Sequence, residues 1–188
     1  MPRLTAKQAL VVGAGQTPGE TIGNGRATAL RFAQEGARVA VADINLESAQ
    51  ETVRLIEAEG GAAEAFHVDV AREQSCQECI NSVLNDFGHL DILHNNVGIG
   101  RGDATPGRIE SDVWDELFAI NARSAMYTCK ALLPHFRDRA SGVFINISSV
   151  AAIASASNIT AYKASKAALN AYTQALAVNN ARFGIPCL

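Results

Sequence analysis

The chain lacks what a membrane protein or a secreted disulfide scaffold would need. No apolar run approaches the roughly 20 residues that a bilayer-spanning helix requires. The N-terminus, Met1-Pro2-Arg3-Leu4-Thr5-Ala6-Lys7-Gln8, has no apolar core of a signal peptide. These absences predict a cytoplasmic protein. There is no basic stripe: 16 Lys and Arg stand against 19 Asp and Glu, a net charge of −3, so nucleic acid is excluded as a partner. Cysteine is scarce, with four residues in 188. Cys76-x-x-Cys79 has no second pair to complete a zinc site and lies in a segment that reads as helix, so both thiols are expected to be packing residues. His67, His89, His94 and His135 have no metal-ligand spacing, so no metal is expected. No internal repeat and no low-complexity linker interrupts the chain. With 48% apolar and 19% charged residues, it is long enough for one domain, residues 1–188, with a sizeable core.

What is present is an alternation of short apolar runs with longer amphipathic segments. Strands are predicted at Ala9–Val12, Arg38–Ala42, Ala65–Val68, Leu90–His94 and Gly142–Ile147. Helices are predicted at Gly25–Gly36, Leu46–Glu59, Glu73–Phe87, Ser111–Arg137 and Ala161–Phe183. Such an order predicts an α/β, Rossmann-type doubly wound parallel sheet in three layers. Ligands of such sheets bind beyond the carboxyl ends of the strands. Those ends carry Gly13, Asp43, Asp69, Asn95 and Ser149, a polar set gathered at one edge.

Two constellations at that edge carry chemistry. The first strand runs into Gly13-Ala14-Gly15, and Gly23-Asn24-Gly25 opens the next helix. Glycines there let a pyrophosphate approach the helix N-terminus. Asp43, at the end of the second strand, can accept hydrogen bonds from ribose hydroxyls and would repel a 2′-phosphate. The next residue is Ile44 rather than a cation, so NAD is favoured over NADP. The second constellation is Tyr162-Lys163-Ala164-Ser165-Lys166. Residues four apart share one face of a helix, so an ammonium can lie beside a phenol. At roughly 4 Å and an effective dielectric of about 20 the attraction is on the order of 4 kcal/mol. That bounds the expected lowering of the tyrosine pKa at about three units. Alone, such a pair is a common surface feature.

Further runs accompany it: Asp69-Val70 after the third strand, Asn95-Asn96-Val97-Gly98 after the fourth, Asn121 in Phe118-Ala119-Ile120-Asn121, and Ile147-Ser148-Ser149 thirteen residues before Tyr162. On these residues the chain resembles the short-chain dehydrogenase/reductase family from Val11 to about Phe183. The resemblance implies hydride transfer between a nicotinamide cofactor and a secondary alcohol or ketone. It implies Tyr162 as acid/base and Lys166 as the lysine that lowers its pKa and holds the nicotinamide ribose. Ser149 would hold the substrate oxygen, and Asn121 would support a proton-relaying water. Gly13, Gly23, Asn24, Asp43, Asp69, Val70, Asn95 and Val97 would contact the cofactor, together with Tyr162 and Lys166. It also implies a homodimer or homotetramer through the helices 112–137 and 161–183, and a small alcohol or ketone as the other partner.

The chain departs from the family pattern twice. Nine residues separate Gly13 from Gly23 where the family has three, so Gln16 to Thr21 is expected to bulge outward beside the pyrophosphate. The chain also ends at Leu188, where the family continues into a sixth strand, a turn that meets the nicotinamide amide and a substrate-covering segment. The domain is therefore expected to be incomplete at its C-terminus, and Pro186 is expected to oppose strand pairing. Two functions follow: an NAD-dependent oxidoreductase, or a nucleotide-binding or interaction module without turnover. Residues Ile153 to Ile159 are expected to line the substrate pocket.

Overall fold

The central strand β1 (Gln8–Val12) is apolar on both faces, and Ala9, Leu10, Val11 and Val12 are all buried. A parallel strand covered from two sides requires that continuous pattern. In the computed structural model, which describes residues 2–17, 19–154 and 157–188, four strands flank β1. They are β2 (Arg38–Asp43), β3 (Ala62–His67), β4 (Ile92–Asn95) and β5 (Val143–Asn146). All pair in parallel in the order β3-β2-β1-β4-β5. The expected doubly wound α/β fold is observed. The chain reverses direction across the sheet between β3 and β4, so the switch point lies between the carboxyl ends of β1 and β4.

Side chains alternate between the two faces of each strand. Val11, Val39 and Val41 pack on Ala29 and Ala33 of α1 (Asn24–Gln34) and on Ala49 and Ile56 of α2 (Leu46–Ala58). Leu10, Val12, Leu93 and Phe144 face the opposite layer. There they meet Ile80 and Val83 of α3 (Glu73–Phe87) and Leu132 and Phe136 of the helix that precedes β5. The last helix, α6 (Thr160–Asn180), adds Leu176 to this second cluster. Local signals fix several ends. The Asn45 side chain accepts from Ser48 N at 3.1 Å and caps α2, and Gly88, at φ +78°, closes α3.

Three expectations are corrected. The single helix read over Ser111–Arg137 is α4 (Ser111–Phe118), a π-helical turn (Ala119–Arg123) and α5 (Ser124–Arg139). The third strand starts at Ala62 rather than Ala65 and pairs with β2 along its length. As a half-exposed edge strand it carries no continuous apolar run to announce it. Pro186 does not prevent pairing. Its carbonyl accepts from Phe144 N at 3.1 Å, and Leu188 N donates to Phe144 O at 2.9 Å. The segment after α6 thus lies parallel to β5, with proline at the first paired residue, where a missing N–H costs least. Among the described residues, no helix is long and apolar enough to cross a membrane.

One buried group makes the stability depend on pH. His94 on β4 is 5% exposed, meets Phe32 of α1 edge-on at 5.8 Å and finds no partner for its Nδ1 among the described residues. Burial pushes its pKa from the ordinary 6.5 down to about 4. The folded state therefore resists protonation that the unfolded state accepts. Stability is intact above pH 6.5 and is lost as the pH falls toward 4, by roughly 3 kcal/mol for a gap of this size. Urea midpoints measured at neutral and acidic pH are expected to converge in His94→Leu relative to the parent chain. An identical acid loss in both proteins would refute the assignment to His94.

Candidate functional site

The cofactor end is built from backbone held close to backbone. Gly13 turns at φ +78° and donates to Ala42 O at 2.8 Å. Gly23 is the residue before α1, and Asn24 opens the helix with no side-chain cap. Gly25 is buried, with no room for a side chain: a Cβ there would lie 1.9 Å from Gly13 O. Between them Gln16 closes the loop. Its side-chain oxygen accepts from Gly23 N at 2.8 Å, and its amide donates to Thr17 O at 2.7 Å and Thr21 O at 3.0 Å. Thr17 and residues 19 to 22 are exposed, consistent with an outward bulge; Pro18 lies outside the described residues. Ser48 Oγ accepts from Gln16 N at 2.6 Å and Thr52 Oγ1 donates to Ala14 O at 2.8 Å. Helix α2 therefore braces the loop from behind.

Beyond the strand ends lies a cavity of about 210 Å³. Val68, Val70, Val97, Ile99 and Ile120 wall it, and Gly13, Asp43 and Asp69 sit on its rim. The Asp43 carboxylate accepts from Gly15 N at 2.8 Å and from Asn45 N at 3.0 Å, which fixes it at the cavity edge and leaves lone pairs free. Asp69 receives Ala71 N at 3.0 Å. An apolar slot with an anchored carboxylate and an open helix N-terminus beside it fits an adenine, its ribose and a pyrophosphate. Asn95 is not on this cavity. Its amide is buried between Thr128 Oγ1 (2.9 Å) and Asn146 Oδ1 (2.9 Å), where it ties β4 to α5 and β5. From that turn Val97 reaches the slot. A larger open groove of about 780 Å³ follows the outer edge of β3, past Arg38, Arg54 and Glu64, away from the strand ends.

The second cluster of candidate site residues lies where α6 passes the ends of β4 and β5. Lys166 is 2% exposed, and its Nζ donates to Ile147 O at 2.8 Å and to Val97 O at 3.3 Å. Burial pushes its pKa down to about 8. Gly98 makes room for it, since a Cβ there would stand 3.0 Å from Nζ. Tyr162 is half-buried one turn earlier, its ring beside Gly100. Among the described residues no hydrogen bond joins Lys166 to Tyr162. Ser149 Oγ accepts from Ala151 N at 3.1 Å, which leaves its hydroxyl proton for another acceptor. Asn121 sits inside the π-helical turn, 1% exposed. Its amide exchanges two bonds with the backbone of Ile99, at 2.8 and 2.9 Å, and donates to Ser165 Oγ at 3.1 Å.

A family model described as short chain dehydrogenase matches residues 7–187. The chain belongs to the short-chain dehydrogenase family. It is 36% identical over 185 residues to the uncharacterized oxidoreductase YxbG of Bacillus subtilis (strain 168), covering 98% of this chain and 65% of that protein. Among solved structures, an NAD+-bound xylitol dehydrogenase is 32% identical with a TM-score of 0.91, covering 98% of this chain and 69% of that one. A metagenomic short-chain oxidoreductase in complex with NADP is 29% identical with a TM-score of 0.89, covering 97% and 80%. Members of the family thus hold either nicotinamide cofactor on this fold. The chain spans about two thirds of the length of the curated relative.

Sequence reasoning missed several parts of this short-chain dehydrogenase site. Asp103, in the loop after β4, sends its carboxylate to the start of α6, where it accepts from Ala161 N at 3.1 Å and Tyr162 N at 2.8 Å. Lys163 Nζ donates to Ala151 O at 3.1 Å and Ala154 O at 2.7 Å, fastening the turn after Ser149 to the same helix. Within the segment from Ile153 to Ile159, Ile153 is exposed; Ser155 and Ala156 lie outside the described residues. All four thiols are free. Burial pushes Cys76, Cys79 and Cys129 up to about 12, so they are poor nucleophiles. Among the described residues no three His, Cys, Asp or Glu side chains gather to hold a metal ion.

Proposed function

We propose that this chain carries the nicotinamide-binding and proton-transfer machinery of an NAD-dependent oxidoreductase that interconverts a secondary alcohol and a ketone. One observation supports this above the others. The buried Lys166 bonds the carbonyl of Val97, whose side chain walls the nucleotide slot, so the proton-transfer helix and the cofactor cleft meet at one residue. When bound, NAD supplies a hydride acceptor at C4 of its nicotinamide ring. Asp43 would hold the ribose hydroxyls, the turn at Gly13, Gly23 and Asn24 would receive the pyrophosphate, Asp69 and Val70 would meet the adenine, and Val97 would line the cofactor's path. Ser149 donates a hydrogen bond to the substrate oxygen and holds it in place. Tyr162 takes the alcohol proton as the C–H electrons leave, and returns it in the reverse direction. Lys166, on the same face of α6 as Tyr162 and with a pKa of about 8, can accept or release a proton near neutral pH. Asn121 keeps the loop at Ile99 in register with α6.

The test is a thermal-shift titration with NAD followed by a panel of secondary alcohols, read by the absorbance of reduced nicotinamide. Stabilisation with turnover is expected. Stabilisation without turnover would favour the second reading, a nucleotide-binding module, which has one observation in its support: Val150 and Ile153, beside Ser149, are 73% and 83% exposed. Self-association would use the outer faces of α4, α5 and α6, where Trp114 and Val178 reach solvent.

Asp43 carries the cofactor preference. The nearby cations are occupied: Arg26 bonds Thr52 Oγ1 and Ser48 O, Arg54 pairs with Glu51, and Arg101, which lines the same cavity, pairs with Glu116. In Asp43→Ala the loss of ribose hydrogen bonds is expected to weaken NAD by about tenfold or more. NADP, relieved of repulsion, is expected to gain relative to NAD. Dissociation constants for both cofactors check this, and an unchanged NAD to NADP ratio would remove Asp43 from the selection.

A further inference from the structure

We propose that Asp103 is a positioning residue for the proton-transfer helix, serving as a long-range N-cap for α6 and so setting the place of Tyr162. The proposal rests on the reading of Tyr162 as acid/base. The residue at the start of α6 is Ile159, at φ −134° and ψ 49°, and it offers no side-chain cap. The first N–H groups of a helix have no partner within it, and those of Ala161 and Tyr162 open into half-buried surroundings. Asp103 answers both with one carboxylate, from a loop 58 and 59 residues away in sequence. Gly102, at φ +75°, turns the chain so that it can. Ala104 N also donates to Asp103 Oδ1, at 2.8 Å, and Thr160 Oγ1 donates to Ala104 O at 2.6 Å. A carboxylate at the positive end of a helix is favoured by charge as well as by geometry.

The same short loop is pinned a second time, by Asn121 at Ile99. Between the two pins Gly100 lies against the Tyr162 ring, 3.7 Å from its Cδ2 for a Cβ placed there. The pins divide the work. The bond at Ile99 holds the part that walls the nucleotide slot. Asp103 holds the start of α6. Losing Asp103 should therefore disturb the reacting phenol and spare the cofactor.

The experiment compares Asp103→Ala, Asp103→Asn and the double variant Asp103→Ala with Ile159→Asp, which moves the cap onto the helix's own N-cap position. In Asp103→Ala, kcat is expected to fall about tenfold, since small misplacement of a reacting group costs rate. KM for NAD should stay within about twofold, because loss of a transition-state interaction leaves cofactor binding intact. Asp103→Asn, which keeps one acceptor oxygen, is expected to fall between, and Ile159→Asp is expected to restore most of the rate. Independently of turnover, amide hydrogen exchange at Ala161 and Tyr162 should speed up about tenfold in Asp103→Ala while the β-sheet amides keep their protection. Equal losses in kcat and NAD affinity, no recovery with the relocated cap, or unchanged exchange would each overturn the proposal. If the parent chain shows no turnover, the proposed activity fails, and the exchange experiment still decides the role of Asp103.

Discussion

Tyr162→Phe is expected to lower turnover about a thousandfold, within the range for removal of a positioned general acid or base, and to leave NAD affinity unchanged. The substitution deletes one hydroxyl and little else. The ring keeps its place beside Gly100, and the backbone N–H of residue 162 still donates to Asp103. Lys166 keeps its bonds to the carbonyls of Ile147 and Val97, so the nucleotide slot is not reshaped. The half-buried side chain loses no hydrogen bond that the described residues provide, and the melting temperature should move little. The informative measurement is a pair: initial rates with a secondary alcohol, and NAD binding by thermal shift. Loss of rate with intact binding assigns proton transfer to the phenol. A rate within a few-fold of the parent would sink that assignment.

The contrast between what was legible beforehand and what was not follows the range of the interactions. Strand β1 and helix α3 were readable because their signals are local: an apolar run ending at Gly13, and a 3.6-residue pattern ending at Gly88. Edge strand β3 was misplaced because half of its side chains face water and its pattern is mixed. The polar strand ends, Gly13, Asp43 and Asp69, could be predicted to gather because parallel topology alone brings them to one edge. The π-helical turn around Asn121 could not. It is one extra residue per turn in an otherwise helical pattern, and its anchor, the backbone of Ile99, is 22 residues away. The same holds for Asp103 on α6 and for Asn95, whose amide serves the sheet rather than the slot. The one available hint was an absence. Ile159 offers no side-chain cap, which leaves the first N–H groups of α6 for water or another residue. The proline at 186 misled because a proline's effect in a strand depends on which residue is first to pair, a matter of register that composition does not reveal.

Of the three glycines that the family pattern shares, Gly25 is expected to be by far the least replaceable. A Cβ at residue 25 would sit 1.9 Å from the carbonyl oxygen of Gly13 and 2.8 Å from both Gly13 C and Asn96 Nδ2. Two of these three atoms are backbone, so no rotamer change relieves the overlap. Helix α1 would have to back away from β1, and its N-terminus would leave the place where the pyrophosphate is proposed to bind. Gly25→Ala is therefore expected to cost about 4 kcal/mol of stability, at the severe end for a single overpacking substitution, and to abolish the NAD thermal shift. At residue 13 an added Cβ would meet Val97 Cγ2 at 2.9 Å and the backbone of Asn96 and Val97 at 3.3 Å, a milder overlap than at residue 25. Gly13→Ala should then cost the strain of φ +78°, about 1–2 kcal/mol, plus a small shift of that turn. At residue 23 the backbone is ordinary, φ −70°, and the nearest contact is Gln16 Oε1 at 3.5 Å. Gly23→Ala should cost only the poorer N-cap, about 0.5–1 kcal/mol. Urea melts of the three variants, with and without NAD, test the ranking. If Gly25→Ala proved milder than Gly13→Ala, the close approach of α1 to the first turn would not be what holds the nucleotide end together.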